Sequence, residues 1–242
     1  MLDGLARLNR LQQESFGDPA IEDRIAQFEM AYRMQMSVPE LVDLSDEPER
    51  TYQLYGEQAR KPGTYAANCL LARRLVERGV RFVQLYKGSW DGHVKCDENH
   101  VSNARKTDKP IAGLLADLKN RGLLEETLVW WGGEFGRTPK LSTLPESFTE
   151  PGRDHWGAVQ SVFMAGGGIR GGTVIGSSDK DGMEPDKRPV PVADLHASFC
   201  HALGIDPNRE VQTPLGRPML SLIHISEPTR PRLISYAVFC LK

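Results

Sequence analysis

Residues 80–93, VRFVQLYKGSWDGH, carry the reading on which the fold turns. An apolar run, Val80 to Tyr86, leads through Gly88 and Trp90 into Asp91-Gly92-His93. Runs of this length and β-branched or aromatic character read as strands. The run follows a helical pattern, GTYAANCLLARRLVERG, which closes at Gly79, a residue type suited to a helix C-cap. The next pattern, DKPIAGLLADLKNRGLLEE, reads as another helix, with Pro110 near its first turn and Gly122 near its end. Then come TLVWWGG and VQSVFMAGG, two further strands, a short fourth strand at GGTVIG, and a closing helix at PVADLHASFCHALGI. Short apolar runs alternating with helices predict an α/β domain with a mainly parallel sheet covered on both faces.

Upstream, the pattern is helical. Ile21, Ile25, Phe28, Tyr32 and Met36 recur at spacings of three and four and form one apolar face. The Val38-Pro39 and Glu47-Pro48 pairs are expected to break that helix into shorter ones. The expected organisation is a helical segment at 1–62 belonging to the same domain, then an α/β half-domain at 63–219. The stretches 138–153 and 177–191 read as long loops.

Bulk properties narrow the function. The chain has 242 residues, 40% hydrophobic and 26% charged, with a formal charge of −2. That balance gives no reason to expect nucleic acid or an anionic membrane as partner. No apolar run approaches the length of a membrane span. Four widely spaced cysteines make neither a disulfide framework nor a thiolate zinc site.

The chemistry concentrates after the predicted strands. Asp91 and His93 stand two apart, so in an extended segment they face the same way, and a carboxylate with an imidazole suits zinc or another divalent metal. In TLVWWGGEFGRTP, glycines surround Glu134, which suggests close backbone approach to a ligand. Arg137 offers a planar fork for a sulfate or phosphate oxygen, or a structural ion pair with Glu134. GRDHW adds His155 as a third candidate ligand; Asp154 either orients its imidazole or caps a turn. Together Asp91, His93, Glu134 and His155 make a candidate metal site at strand ends, where open α/β sheets place their sites. AGGGIRGG lacks the lysine of a phosphate-binding loop, and no serine has the context of a hydrolase nucleophile.

The stretches CLLARRLVERGVRFVQLYKGSWDGH, DKPIAGLLADLKNRGLLEETLVWWGGEFGRTP, GRDHW, AGGGIRGGTVIGSSD and DLHASFCHALGID resemble the family catalogued as domain of unknown function 1501. That resemblance spans residues 1–219 and, as a family reading, implies sulfatase-like proteins of the alkaline phosphatase superfamily. It implies the C-terminal part of an α/β/α sandwich with a divalent-metal site. By order, Asp91 and His93 stand at that superfamily's Asp…His pair, Glu134 at the Asp of its Asp-His element, and His155 at its late His. Phe135 stands where the superfamily has a metal-binding His. The implied function is a metal-dependent hydrolase of small-molecule or glycan sulfate or phosphate esters, with Arg137 or Arg153 stabilising charge on the transferring group. The metal would be zinc, with calcium, magnesium or manganese as alternatives. The resemblance also implies export to the periplasm. It further implies that the nucleophile lies upstream, so this chain alone would be inactive. The alternative is an exported binding protein on a degenerate hydrolase scaffold.

The C-terminal stretch LSLIHISEPTRPRLISYAVFCLK, Leu220 to Lys242, breaks with what precedes it. It resembles the translation of a transposase-type sequencing adapter, so residues 220–242, with His224 and Cys240, are expected to be non-native.

Overall fold

The computed structural model describes Arg7 and residues 19–133, 135–144, 148–206, 210–212 and 218–220. The chain divides into two compact units, Met1–Pro48 and Glu49–Lys242. In the first unit, helix α1 (Pro19–Val42) runs through Pro39 and ends three residues later, so the Val38-Pro39 pair does not break it. Phe28, Tyr32 and Met36, on its apolar face, are exposed.

The second unit begins with a helical block. Helices α2 (Glu49–Tyr55), α3 (Tyr65–Glu77) and α4 (Cys96–Asn120) pack on one another, with a 3₁₀ turn at Glu57–Arg60 between the first two. Helix α3 starts because the Thr64 side chain accepts the Ala67 N–H, a standard N-cap. It stops at Gly79, which takes φ 79° while its N–H and that of Val80 close the last turn on Val76 and Leu75. Helix α4 begins earlier than its apolar pattern suggests. Asp97 and Glu98 in its first turn suit the helix dipole, and Pro110 lies in its interior rather than near its start. Tyr55, Ala59, Ala67, Cys69, Leu70, Leu114 and Leu118 form the core of this block. Gly113 lets α4 approach α2 closely, since a Cβ there would stand 2.7 Å from the Leu54 carbonyl oxygen.

An ion network ties α3 to α4. The Asp117 carboxylate takes Arg73 Nε at 3.0 Å and Arg121 Nε at 2.7 Å, and it accepts the Tyr55 hydroxyl at 3.1 Å. Glu77 bridges both arginines, at 2.5 Å to Arg73 and 2.6 Å to Arg121. Burial and the neighbouring Asp117 push the Tyr55 phenol well above its ordinary range, so it stays a hydrogen-bond donor.

The expected parallel sandwich is not what the chain forms. Among the described residues the strands make five two-stranded antiparallel sheets and no extended sheet. Strand β1 (Val129–Gly132) pairs antiparallel with β6 (Val162–Ala165). Between them lie β2 (Gly136–Arg137), β3 (Ser142–Leu144), β4 (Phe148–Gly152) and β5 (His155–Trp156); β2 pairs with β5 and β3 with β4. The physical reason is the connection. A parallel pair needs a long crossover, usually a helix, and the segment between β1 and β6 folds into nested hairpins instead. Farther on, β7 (Ser177–Ser178) pairs with β8 (Pro185–Lys187), helix α5 spans Val192–Ala202, and β9 (Glu210–Gln212) pairs with β10 (Pro218–Leu220). GGTVIG forms no strand, although Ile175 is buried.

The run that opened the fold reading behaves differently from its pattern. Residues 81–86 lie in no helix or strand. Exposure nevertheless alternates along them, with Phe82 72% and Tyr86 79% exposed while Val83 and Leu85 are half-buried. The apolar periodicity of a strand is present, but among the described residues the run pairs with no other strand. A second small core, Val162, Met164 and Leu195 with Leu128, Ile169 and Phe199, joins β6 to α5. Among the described residues no helix is long and apolar enough to cross a membrane.

Candidate metal centre

Three segments meet at the site. The turn carrying Asp91 and His93 is stitched to the third segment by an isolated bridge, Val94 to Gly152, and by the Arg153 N–H donating to the His93 carbonyl at 3.0 Å. That third segment runs into β5, whose register with β2 places His155 opposite Arg137. Thr138 closes the corner: its N–H donates to the Asp154 carbonyl at 2.9 Å and its Oγ1 accepts the Asp154 N–H at 3.0 Å. The glycine before Arg137 has a steric cause. A Cβ on Gly136 would lie 2.5 Å from the Val159 carbonyl oxygen. The close approach expected of the glycines near Glu134 is therefore made, at Gly136, to backbone rather than to a ligand.

Asp91 is the hub. Its Oδ1 accepts from Arg137 Nη2 at 2.8 Å and from His155 Nε2 at 2.8 Å, and lies 3.5 Å from His93 Nε2. Hydrogen bonds from Arg137 first, and His155 second, hold the Asp91 carboxyl down at about 2, below the usual carboxylate range. One ligand atom from each of Asp91, His93 and His155 falls within 4.8 Å of the others.

The hydrogen bonds also assign protons. His93 Nδ1 lies 2.8 Å from the Arg153 carbonyl oxygen, which can only accept, so Nδ1 carries a proton, and Nε2 is turned toward Asp91. This is the arrangement that orients metal-ligating histidines, with the second nitrogen spent on a backbone carbonyl. His155 Nε2 faces an ionised carboxylate and so bears a proton here; serving as a ligand through that nitrogen requires its release. The two imidazoles lie 5.0 Å apart, and Phe135 packs against His155 with ring centroids 4.9 Å apart and planes tilted by 59°. Nitrogen and carboxylate-oxygen donors of this kind suit zinc and other first-row divalent ions.

Of the residues expected at the site, the structure brings together Asp91, His93, His155 and Arg137. Arg137 is 13% exposed and also reaches the Trp90 carbonyl at 3.3 Å. Its Nη1 is buried with no hydrogen-bond partner among the described residues. The Arg153 guanidinium is turned elsewhere, onto the carbonyls of Thr138 at 2.7 Å and Pro139 at 2.6 Å. Asp154 accepts the backbone N–H of His155 at 2.8 Å rather than its ring, and its carboxylate stands 3.8 Å from His93 Nδ1. Glu134 lies outside the described residues. Sequence reasoning missed two contributors. Phe135 walls one face of His155 although it can ligate nothing. Asn103, far along α4, reaches the turn before Asp91.

No curated protein and no solved structure matches the chain. A family model described as a protein of unknown function, DUF1501, matches residues 1–222, which runs slightly past the point where the C-terminal stretch changes character. The chain therefore belongs to the DUF1501 family.

Proposed function

We propose that Asp91, His93 and His155 hold a divalent metal, zinc by donor chemistry, and that the protein is a metal-dependent hydrolase of sulfate or phosphate esters. The observation that carries the reading is the three-residue cluster, with His93 Nδ1 held by a backbone carbonyl and Nε2 turned into the cluster. Three protein ligands, rather than four, are what a catalytic zinc site uses, because a position must remain for substrate. When bound, such a metal supplies Lewis-acid polarisation of an ester oxygen. The chain's own residues supply the rest. Arg137 keeps Asp91 ionised through Nη2 and sets a fixed positive charge beside the cluster. Phe135 and the β2–β5 register fix the ring of His155.

The sulfatase-like reading of the family belongs to this proposal, as does export to the periplasm. The proposal rests on the site and not on the sandwich fold. The C-terminal stretch 220–242, read as adapter-derived, has no role in it. The nucleophile is not assigned to any residue here, so the chain by itself is expected to bind metal without turnover. Zinc titration of the chain, followed by melting temperature, tests the first half. Binding to the native state must raise the midpoint, and the rise must vanish in His93→Ala. Hydrolysis of an aryl sulfate and an aryl phosphate by the whole protein, with zinc, manganese, magnesium or calcium, tests the second. Metal uptake with no turnover on either ester would favour the alternative, a binding protein, for which Phe135 in place of a ligand already speaks.

A further inference from the structure

Asn103 is a polar residue in the interior of α4, 2% exposed, where neither helix propensity nor burial favours an asparagine. Its amide is spent on the loop before the metal centre. Nδ2 donates to the Ser89 carbonyl at 2.5 Å and to Asn99 Oδ1 at 3.2 Å, and Oδ1 accepts from Lys87 Nζ at 3.2 Å. Ser89 needs such support. It sits at φ 73°, a left-handed conformation that only glycine adopts without cost. Two residues on is Asp91, and the chain then returns against the same helix at Gly92, where a Cβ would stand 3.0 Å from Asn99 Cγ.

We infer that Asn103 is a positioning residue, which with Asn99 clamps the Ser89–Gly92 turn in its left-handed form and so aims Asp91 at the two histidines; this rests on the metal reading above. Asn103 touches neither metal ligand nor substrate. Its effect passes through the Ser89 carbonyl.

The test compares Asn103→Leu with Thr107→Val in the whole chain. Thr107 is buried one turn further along α4, and among the described residues its hydroxyl bonds only within its own helix, to the carbonyls of Asn103 and Ala104. Two quantities are read: zinc affinity by competition with a chelator, and amide hydrogen exchange of residues 87–94 in the metal-free protein. Asn103→Leu should weaken zinc severalfold and speed exchange in 87–94. Thr107→Val should do neither. Adding Ser89→Gly to Asn103→Leu should recover part of the affinity, because glycine takes φ 73° unaided. Unchanged affinity and exchange in Asn103→Leu, or an equal loss in Thr107→Val, would overturn the inference. Wild-type protein that takes up no zinc would overturn the metal reading instead, and the exchange result would still decide the clamp.

Discussion

Asp117 and Asp91 are both aspartates held by arginine, yet their surroundings lead to opposite uses. Asp117 is 9% exposed, wedged between α3 and α4, and its oxygens are taken by Arg73, Arg121 and Tyr55. The two arginines cannot ligate a metal, and the buried Tyr55 phenol is held in its protonated form. Asp91 is 66% exposed, and two of its three neighbours are imidazoles. An Asp–Arg contact alone therefore says nothing about function. The third partner and the access of solvent decide whether it holds helices together or waits for a ligand.

The largest effect should come from Asp117→Ala. It leaves buried Arg73 without its Asp117 partner, a change that costs about 3–5 kcal/mol. Thermal unfolding should show a fall of roughly 10 °C. Asp91→Ala should do the reverse. It should move the melting temperature little, since exposed pairs contribute up to about 1 kcal/mol, while abolishing the zinc-dependent rise. A large loss of stability in Asp91→Ala would erase the contrast.

Next in size is Gly136→Ala. The Val159 carbonyl must give way, at a cost of about 1–3 kcal/mol, and the Arg137–His155 register moves with it. Zinc affinity and melting temperature should fall together, unlike in His155→Ala, where affinity alone collapses. Phe135→Leu should be milder. It removes the ring from His155 and should lower zinc affinity by roughly threefold, with an aromatic contact of about 0.5–1.5 kcal/mol at stake. The smallest effect concerns pH. The Asp91 carboxyl is held below its ordinary value in the folded chain, so its contribution to stability is present above the ordinary carboxylate range and is lost as pH falls toward about 2. Arg137→Met removes the largest cause, so the Asp91 titration followed by NMR should move up toward the usual range, and acid unfolding should begin at slightly higher pH. An unmoved titration would assign the shift to His155 instead.

The helical block was legible because its signals are local. Gly79 in its left-handed turn and the apolar spacing of α3 each act within a few residues. Strand pairing was not legible. The run Val80–Tyr86 has the alternation of a strand, but a ladder needs a second chain segment, and periodicity carries no information about which one. β1 and β6 were recognised as strands. Their antiparallel pairing follows from the hairpins between them, a matter of loop geometry at Gly136, Thr138 and Gly152.

The sequence by itself determined the donor types of the candidate site. Asp91 and His93 two apart, and His155 after an arginine and an aspartate, named three of the cluster's side chains, because donor type is a property of the residue. It also determined where α3 ends, because the hydrogen bonds of a helix close within four residues. Only the tertiary structure decided which side chains share one oxygen of Asp91, that Arg153 faces away while Arg137 faces in, and that Asn103 reaches the turn. These depend on register and on close approach between distant segments, distances that no spacing along the chain encodes.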